Sequence, residues 1–259
     1  MEKKKGISGS TLKMIAIVTM LIDHIGAAVL ARLLMVNGLG ELDQTNTVAI
    51  MQWLSANGAL YWMYTVMRMI GRVAFPIFCF LLVEGFLHTH DVKKYAMRLG
   101  LFALLSEIPF DLAFSSKILE FNYQNVFFTL FIGLLTMIAY RAVEEKEEWN
   151  QALKVILYIL IVAAGMALAY FLKTDYAEKG VFCIMVLYIF RKKKMWQIIA
   201  GCASFIWETP ALFGFIPIAF YNGTRGWKMK YFFYIFYPAH LLILYLLCYF
   251  MGISGYSAV

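Results

Sequence analysis

The residues in this chain that could do chemistry are polar side chains stranded among apolar ones. Asp23, His24, Arg68, Arg72, Glu84, Arg98, Glu107, Asp111 and Glu208 all fall within or beside long apolar blocks. A charge at the centre of a bilayer costs about 3 kcal/mol or more and usually faces a bundle interior or a wet cavity. So many in one small bundle point to a shared polar cavity. The competing structural reading is that they pair off as buried ion pairs that fix helix register.

His24 lies near the middle of its apolar block, where a neutral imidazole can act as a general base. Its neighbour Asp23 is a poor orienting partner, because adjacent helical residues point about 100° apart. The orienting group should therefore come from another helix. Glu84, Glu107 and Asp111 are the carboxylates available, and the last two, four residues apart, share one helix face. Arg68 and Arg72 have the same spacing and could clamp a phosphate or carboxylate with parallel donors, or form salt bridges to Glu84, Glu107 or Asp111. Glu84 and His88 stand one turn apart, but a metal site wants three or four ligands and no further ligand accompanies them, so no metal is expected. His88, His90 and His240 are placed nearer helix ends or loops.

The elements that must carry these residues follow from composition. Apolar residues make up 62% of the chain, aromatics 17% and charged residues only 15%, where a soluble domain carries roughly 25% charged residues. Mean hydropathy is +0.71. A helix needs about 20 mostly apolar residues to cross a hydrocarbon core, and such blocks recur throughout. The expected fold is all-α: a polytopic membrane helix bundle in a single domain over residues 1–259, with roughly eight transmembrane helices and a possible re-entrant pair. Helices are predicted at Leu12 to Met35, Tyr61 to Leu87, Lys93 to Phe114, Asn125 to Arg141, Ala152 to Leu172, Tyr176 to Phe190 and Tyr231 to Met251. Met195 to Tyr221 is interrupted by Pro210, Gly214 and Pro217, so it reads as one kinked helix or a pair of short re-entrant ones. The re-entrant reading is preferred. The basic start and the apolar run after it imitate a signal peptide, but Asp23-His24 breaks the run, so a retained first helix is expected.

The net charge of +7 comes from short basic clusters between apolar blocks rather than from one polar face. Membrane orientation accounts for that pattern better than a nucleic-acid partner. Lys3, Lys4 and Lys5 put the N-terminus in the cytoplasm. Alternation then puts Lys93-Lys94, Arg141 to Lys154 and Arg191 to Lys194 on the same side, and a re-entrant pair returns Arg225, Lys228 and Lys230 there. Cys79, Cys183, Cys202 and Cys248 lie in apolar stretches with no CxxC pair, and read as buried thiols.

The polar positions also sit in recognisable segments. Ile22-Asp23-His24-Ile25-Gly26, Gly71 to Phe78, Glu84-Gly85 with His88-Thr89, and Arg98-Leu99 through Ser106 to Leu112 resemble the TraX family. So do Gln124-Asn125-Val126 with Phe128-Thr129-Leu130, Tyr221-Asn222-Gly223, and Tyr237-Pro238-Ala239-His240-Leu241, in order along most of the chain. The family takes its name from a conjugation protein that acetylates the N-terminus of the F-pilus subunit. The resemblance implies a multi-pass acetyltransferase of the bacterial cytoplasmic membrane that takes acetyl-CoA as donor. Its acceptor would be an amine or hydroxyl on a peptide N-terminus, sugar or lipid-linked molecule, and lipid would be its surrounding. On this reading His24, Asp23, Glu107 and Asp111 are the catalytic candidates. Lys13, Arg68, Arg72, Glu84, His88, Arg98, Asn125, Asn222 and His240 are the binding candidates.

The chain is also distantly similar to transmembrane acyltransferases of envelope sugars, which carry a basic residue, ten residues and then a histidine in the first helix. Lys13 and His24 have that spacing, while Arg68 and Arg72 have three residues between them where those families have two. Acyl transfer from a thioester needs a base on the nucleophile and donors for the developing oxyanion. The pantetheine arm of CoA would thread a narrow polar channel towards His24, with its phosphates near a basic rim of Lys13, Lys93, Lys94 and Arg191 to Lys194. Two other classes fit the same residues. A secondary transporter also buries acids, arginines and broken helices, although no paired inverted halves are visible. A non-catalytic assembly protein is the third.

Overall fold

The computed structural model describes residues 5–227 and 230–256. Lys3, Lys4 and Lys228 of the basic clusters lie outside the described residues, as does the side chain of Lys230. Helix α1 (Gly9–Ile25) starts at Ser8, whose hydroxyl accepts from the Thr11 amide, and runs through a π-helical turn (Gly26–Leu30) into α2 (Ala31–Val36). The chain returns through α3 (Thr47–Gly71) and α4 (Ala74–His88), so the helix expected from Tyr61 begins fourteen residues earlier, at Thr47, behind the Asn46 cap. Pro76 lacks an amide hydrogen and its ring crowds the carbonyl of Arg72, four residues back, which breaks the rod at Arg72-Val73. These two rods form an antiparallel hairpin in which Asp23 meets Arg68 and the Trp53 indole donates to the Asn37 carbonyl at 2.7 Å.

The remaining elements are α5 (Val92–Ser115), α6 (Val126–Glu144), α7 (Gln151–Phe171), α8 (Ala177–Ile189), α9 (Lys194–Ser204), a 3-10 segment (Thr209–Gly214), α10 (Phe215–Ala219) and α11 (Lys230–Phe250). Asp91, Asn125 and Asn150 cap α5, α6 and α7 by accepting backbone amides. The Lys94 amide and ammonium hold the Asp91 carboxyl below its ordinary range. Among the described residues, four helical stretches are long and apolar enough to cross a membrane: Gly9–Val36, Thr47–His88, Val126–Glu144 and Gln151–Phe171. The chain is an all-helical, polytopic membrane protein.

The segment from α9 to α10 turns back on itself. The Lys194 ammonium, at the start of α9, donates to the carbonyls of Ala219 and Tyr221, just past α10, at 2.7 and 2.8 Å. Ile7 is hydrogen-bonded to Phe220 and Asn222, so the same end of the bundle holds the N-terminal residues. The two ends of this segment meet, as a re-entrant pair requires, and its tip carries Glu208. Arg191, paired with Glu144 at 2.8 Å, joins the same end. Lys194 and Arg225 lie at this end as well, and we call it the N-terminal end.

Buried side chains form two hydrophobic clusters. One holds Phe75, Phe80, Phe86, Leu134, Ile184 and Phe205 between α4, α6, α8 and the re-entrant pair. The other surrounds the middle of α1 with Phe110, Phe114, Tyr237 and Leu241. The four cysteines are free; three are buried and Cys202 is half-buried.

Candidate functional site

His24 is the last polar residue of α1 before the backbone widens into the π-helical turn, where the Ala31 amide reaches back to the Gly26 carbonyl. Such turns recur at functional sites because they displace side chains from the regular helical positions. The ring of His24 is held by α11. His24 Nδ1 lies 2.7 Å from His240 Nε2, and the two rings are parallel within 3°. His240 Nδ1 in turn lies 2.7 Å from the Phe236 carbonyl. A carbonyl only accepts, so His240 Nδ1 carries the proton. Its Nε2 in the neutral ring accepts from His24 Nδ1–H, and His24 Nε2 is left as the unprotonated nitrogen. The orienting group does come from another helix, but it is a histidine and none of the expected carboxylates. His240 lies inside α11 rather than near an end, and it is buried.

Arg68 and Arg72 share a face of the rod, and their partners differ from the expected Glu84, Glu107 or Asp111. Arg68 pairs with Asp23 at 2.7 Å, and Arg72 Nε pairs with Glu208 at 3.1 Å. Arg72 also approaches the Tyr176 hydroxyl at 3.5 Å. Asp23 therefore faces an arginine, not His24, and its other carboxylate oxygen is buried without a partner. Gly71 lies against Asp23 so closely that a methyl group there would collide with it. Asp23, His24, Arg68, Gly71 and Arg72 line a small cavity of about 100 Å³ with Phe110, Phe114, Tyr123, Asp175 and Tyr176, and Glu208 stands behind Arg72. Tyr123 donates to Asp175 at 2.7 Å, and the Tyr176 ring stacks on Phe75 with centroids 3.6 Å apart. Tyr176 and Ala177 have φ values of 63° and 40°. Side-chain-bearing residues rarely adopt that left-handed backbone, and strain of this kind concentrates at ligand-facing positions.

A second, larger cavity of about 560 Å³ occupies the N-terminal end. Lys13, Glu84, His88 and Arg98 line it, with Arg225 and the rings of Tyr95, Phe127, Tyr234 and Tyr237. Arg98 Nε is buried without a partner. His88 Nδ1 is 2.8 Å from the Glu84 backbone carbonyl and 4.0 Å from its carboxylate. Among the described residues no group of three or more His, Cys, Asp or Glu could hold a metal ion.

Five expected site residues line neither cavity: His240, which reaches the smaller one only through His24, and four others. Glu107 accepts from the amide and side chain of Asn125, Asn125 caps α6 and donates to the Ala103 carbonyl at 2.8 Å, and Asp111 accepts the Glu120 amide at 2.8 Å. All three tie α5 to the chain entering α6, because that entry brings free amides to the carboxylate face of α5. Asn222 accepts from Thr224 and shapes the turn beside Ile7. Sequence reasoning missed Asp175 and Tyr176, since polar residues in a turn carry no signal until the short α8 draws that turn into the bundle. It also passed over Arg32, which is fully buried and donates to Ala28, Ala113, Ser116 and Tyr256. A charge inside the first apolar block was the available clue.

Fold and site together define a polytopic helical membrane protein with a histidine, held by a second histidine behind it, on the wall of a charged cavity. A family model described as TraX protein matches residues 8–248, and the chain belongs to the TraX family. It is 27% identical over 208 residues to a probable fimbrial assembly protein FimC, serogroup H1, of Dichelobacter nodosus, covering 71% of this chain and 83% of that one. No solved structure matches it.

Proposed function

We propose that this protein is a membrane acyltransferase that moves an acetyl group from acetyl-CoA to an amine or hydroxyl acceptor. The observation that carries this reading is the His24–His240 pair. The Phe236 backbone carbonyl fixes its tautomers so that His24 presents a free basic nitrogen on the wall of the charged cavity. His24 Nε2 takes the acceptor's proton as its nitrogen or oxygen attacks the thioester carbonyl. Arg68 and Arg72 supply positive charge for the oxyanion, and Asp23 and Glu208 hold the two guanidinium groups in place. The donor lies in the larger cavity, where Lys13, Arg98 and Arg225 meet its phosphates and the tyrosines flank its arm. On this reading the N-terminal end faces the cytoplasm of a bacterial cell, where acetyl-CoA is made, and the basic clusters there agree with the charge rule for orientation.

The relative named as a fimbrial assembly protein favours a second reading, a non-catalytic assembly role, and under the first reading it suggests a surface-fibre protein as acceptor. Incubating the purified chain and its native membranes with radiolabelled acetyl-CoA separates the two. Labelled acceptor that depends on the chain is the expected result. Protein that neither binds nor hydrolyses acetyl-CoA would leave the assembly role.

A further inference from the structure

The walls of the two cavities come from different halves of the bundle. The larger is lined by the first turns of α1, the last turns of α4, the first turns of α5 and the 221–227 segment at the N-terminal end, together with Val126, Phe127 and Leu130 of α6 and Tyr234 and Tyr237 of α11. The smaller is built from Tyr64 and Arg68 of α3, Phe114 near the end of α5, Tyr123 just before α6, and the turn between α7 and α8. These belong to the opposite half, and Tyr123, Asp175 and Tyr176 there are only partly buried. Met20, Phe78 and Val126 are common to both walls. Met20 stands one turn before His24 on the same face of α1. Tyr237 lines the larger cavity and packs edge-on against His24 at 5.9 Å between ring centroids. Three apolar side chains are thus all that the two walls share, and His24 lines only the smaller.

We propose that the cavities are two half-channels opening at opposite ends of the bundle, and that Met20, Phe78 and Val126 form the partition across which the acyl group is handed. The inference rests on the acyl-transfer reading for its chemistry, while the separation of the half-channels stands on the cavity walls alone. A cavity of about 560 Å³ accepts an extended thioester arm, and one of about 100 Å³ accepts only the few heavy atoms around a nucleophile. The thioester carbonyl carbon reaches the partition from the N-terminal end, and the acceptor's amine or hydroxyl reaches it from the other. A carbon–nitrogen or carbon–oxygen bond forms, and the nucleophile's proton passes to His24 Nε2. The carbon–sulfur bond breaks, and the departing thiolate takes up that proton and leaves as free thiol towards the N-terminal end. The acetyl group then changes sides of the membrane while donor and acceptor each stay on their own. The partition keeps water in the acceptor half-channel from hydrolysing the thioester.

The test uses two single substitutions in the full chain, Leu81→Cys on the wall of the larger cavity and Tyr64→Cys on that of the smaller. Each is exposed, in sealed vesicles of known orientation, to a membrane-impermeant thiol reagent from one side at a time. The parent chain, with its buried and half-buried cysteines, gives the background. Leu81→Cys should label only from the side of the N-terminal end and Tyr64→Cys only from the other. Labelling of both from one side, or of either from both sides, overturns the proposal. The partition is tested by Val126→Trp, which should lower acetyl transfer by about a hundredfold with acetyl-CoA binding retained, as expected for blocked approach. Met20→Ala should raise the fraction of thioester lost to water, and unchanged transfer and hydrolysis in both variants would remove the partition's role. One-sided labelling in a chain that consumes no thioester would keep the half-channels and refute acyl transfer. Thioester use with labelling of both cysteines from one side would do the reverse.

Discussion

Two pairs of charged residues look alike in the sequence and do different work in the structure. Arg68 and Arg72, and Glu107 and Asp111, are each four apart in a mostly apolar stretch. The arginines line the small cavity or reach its edge, and each meets an acid from a different element, Asp23 of α1 and Glu208 at the re-entrant tip. The acids line neither cavity and instead accept backbone and side-chain N–H groups from the segment that leads into α6. Helical spacing shows that two side chains share a face. Whether that face meets a cavity or the capped start of another helix depends on tertiary packing, which spacing does not encode. Substitutions on the cavity side should therefore change turnover, and those on the α5–α6 side should change stability.

The largest effect is expected at His24. His24→Ala should lower turnover by about a hundredfold to ten-thousandfold, the usual range for a lost positioned base, with acetyl-CoA affinity nearly unchanged. His240→Ala is the sharper companion, because it leaves the base in place and removes only the group that fixes its tautomer. Steady-state transfer rates beside donor-binding titrations check both. Wild-type turnover in His24→Ala would move the base elsewhere and dissolve the distinction between the two regions. If His24→Ala fails to fold, His24→Gln keeps a hydrogen-bonding side chain without the base and gives the cleaner reading.

A smaller effect is expected at Arg72, which bridges Glu208 and the Tyr176 hydroxyl through different nitrogens. Arg72→Lys retains one charge and loses the planar two-pronged donor, so transfer should fall roughly tenfold, the equivalent of about one charge-assisted hydrogen bond. Near-normal transfer with a lysine would make Arg72 a point charge or structural pair and weaken its assignment to the cavity.

The helices themselves were legible, because length and apolarity are properties of the chain alone. Pro210, Gly214 and Pro217 also announced the reversal, and Gly214 now packs where a Cβ would lie 2.8 Å from the Val73 carbonyl oxygen at the break between α3 and α4. His24 was legible as a stranded polar residue. Its partner was not, since nothing in the spacing of two histidines 216 residues apart brings α11 beside α1. Asp175 and Tyr176 were illegible for a different reason. They lie in a turn, where polar residues are ordinary, and only the thirteen-residue length of α8 keeps that turn deep enough to reach Arg72.

The smallest effect on chemistry is expected at Asn125, and it tests the other side of the comparison. The family resemblance makes Asn125 a binding candidate, while the structure makes it the cap of α6, with its side chain shared among the Phe127 amide, the Ala103 carbonyl and Glu107. Asn125→Ala removes the cap and leaves the buried Glu107 carboxyl with fewer donors. The expected loss is about 1 to 2 kcal/mol of stability, the usual range for a helix cap together with a buried hydrogen bond. Acetyl transfer per folded molecule should stay at the parent level, because Asn125 lines neither cavity. Thermal unfolding in detergent, read beside transfer normalised to folded protein, separates the two outcomes. Lower stability with parent turnover supports the division between the regions. Parent stability with raised KM for donor or acceptor would place Asn125 in the binding machinery, and the walls drawn from the cavities would then be incomplete at the start of α6.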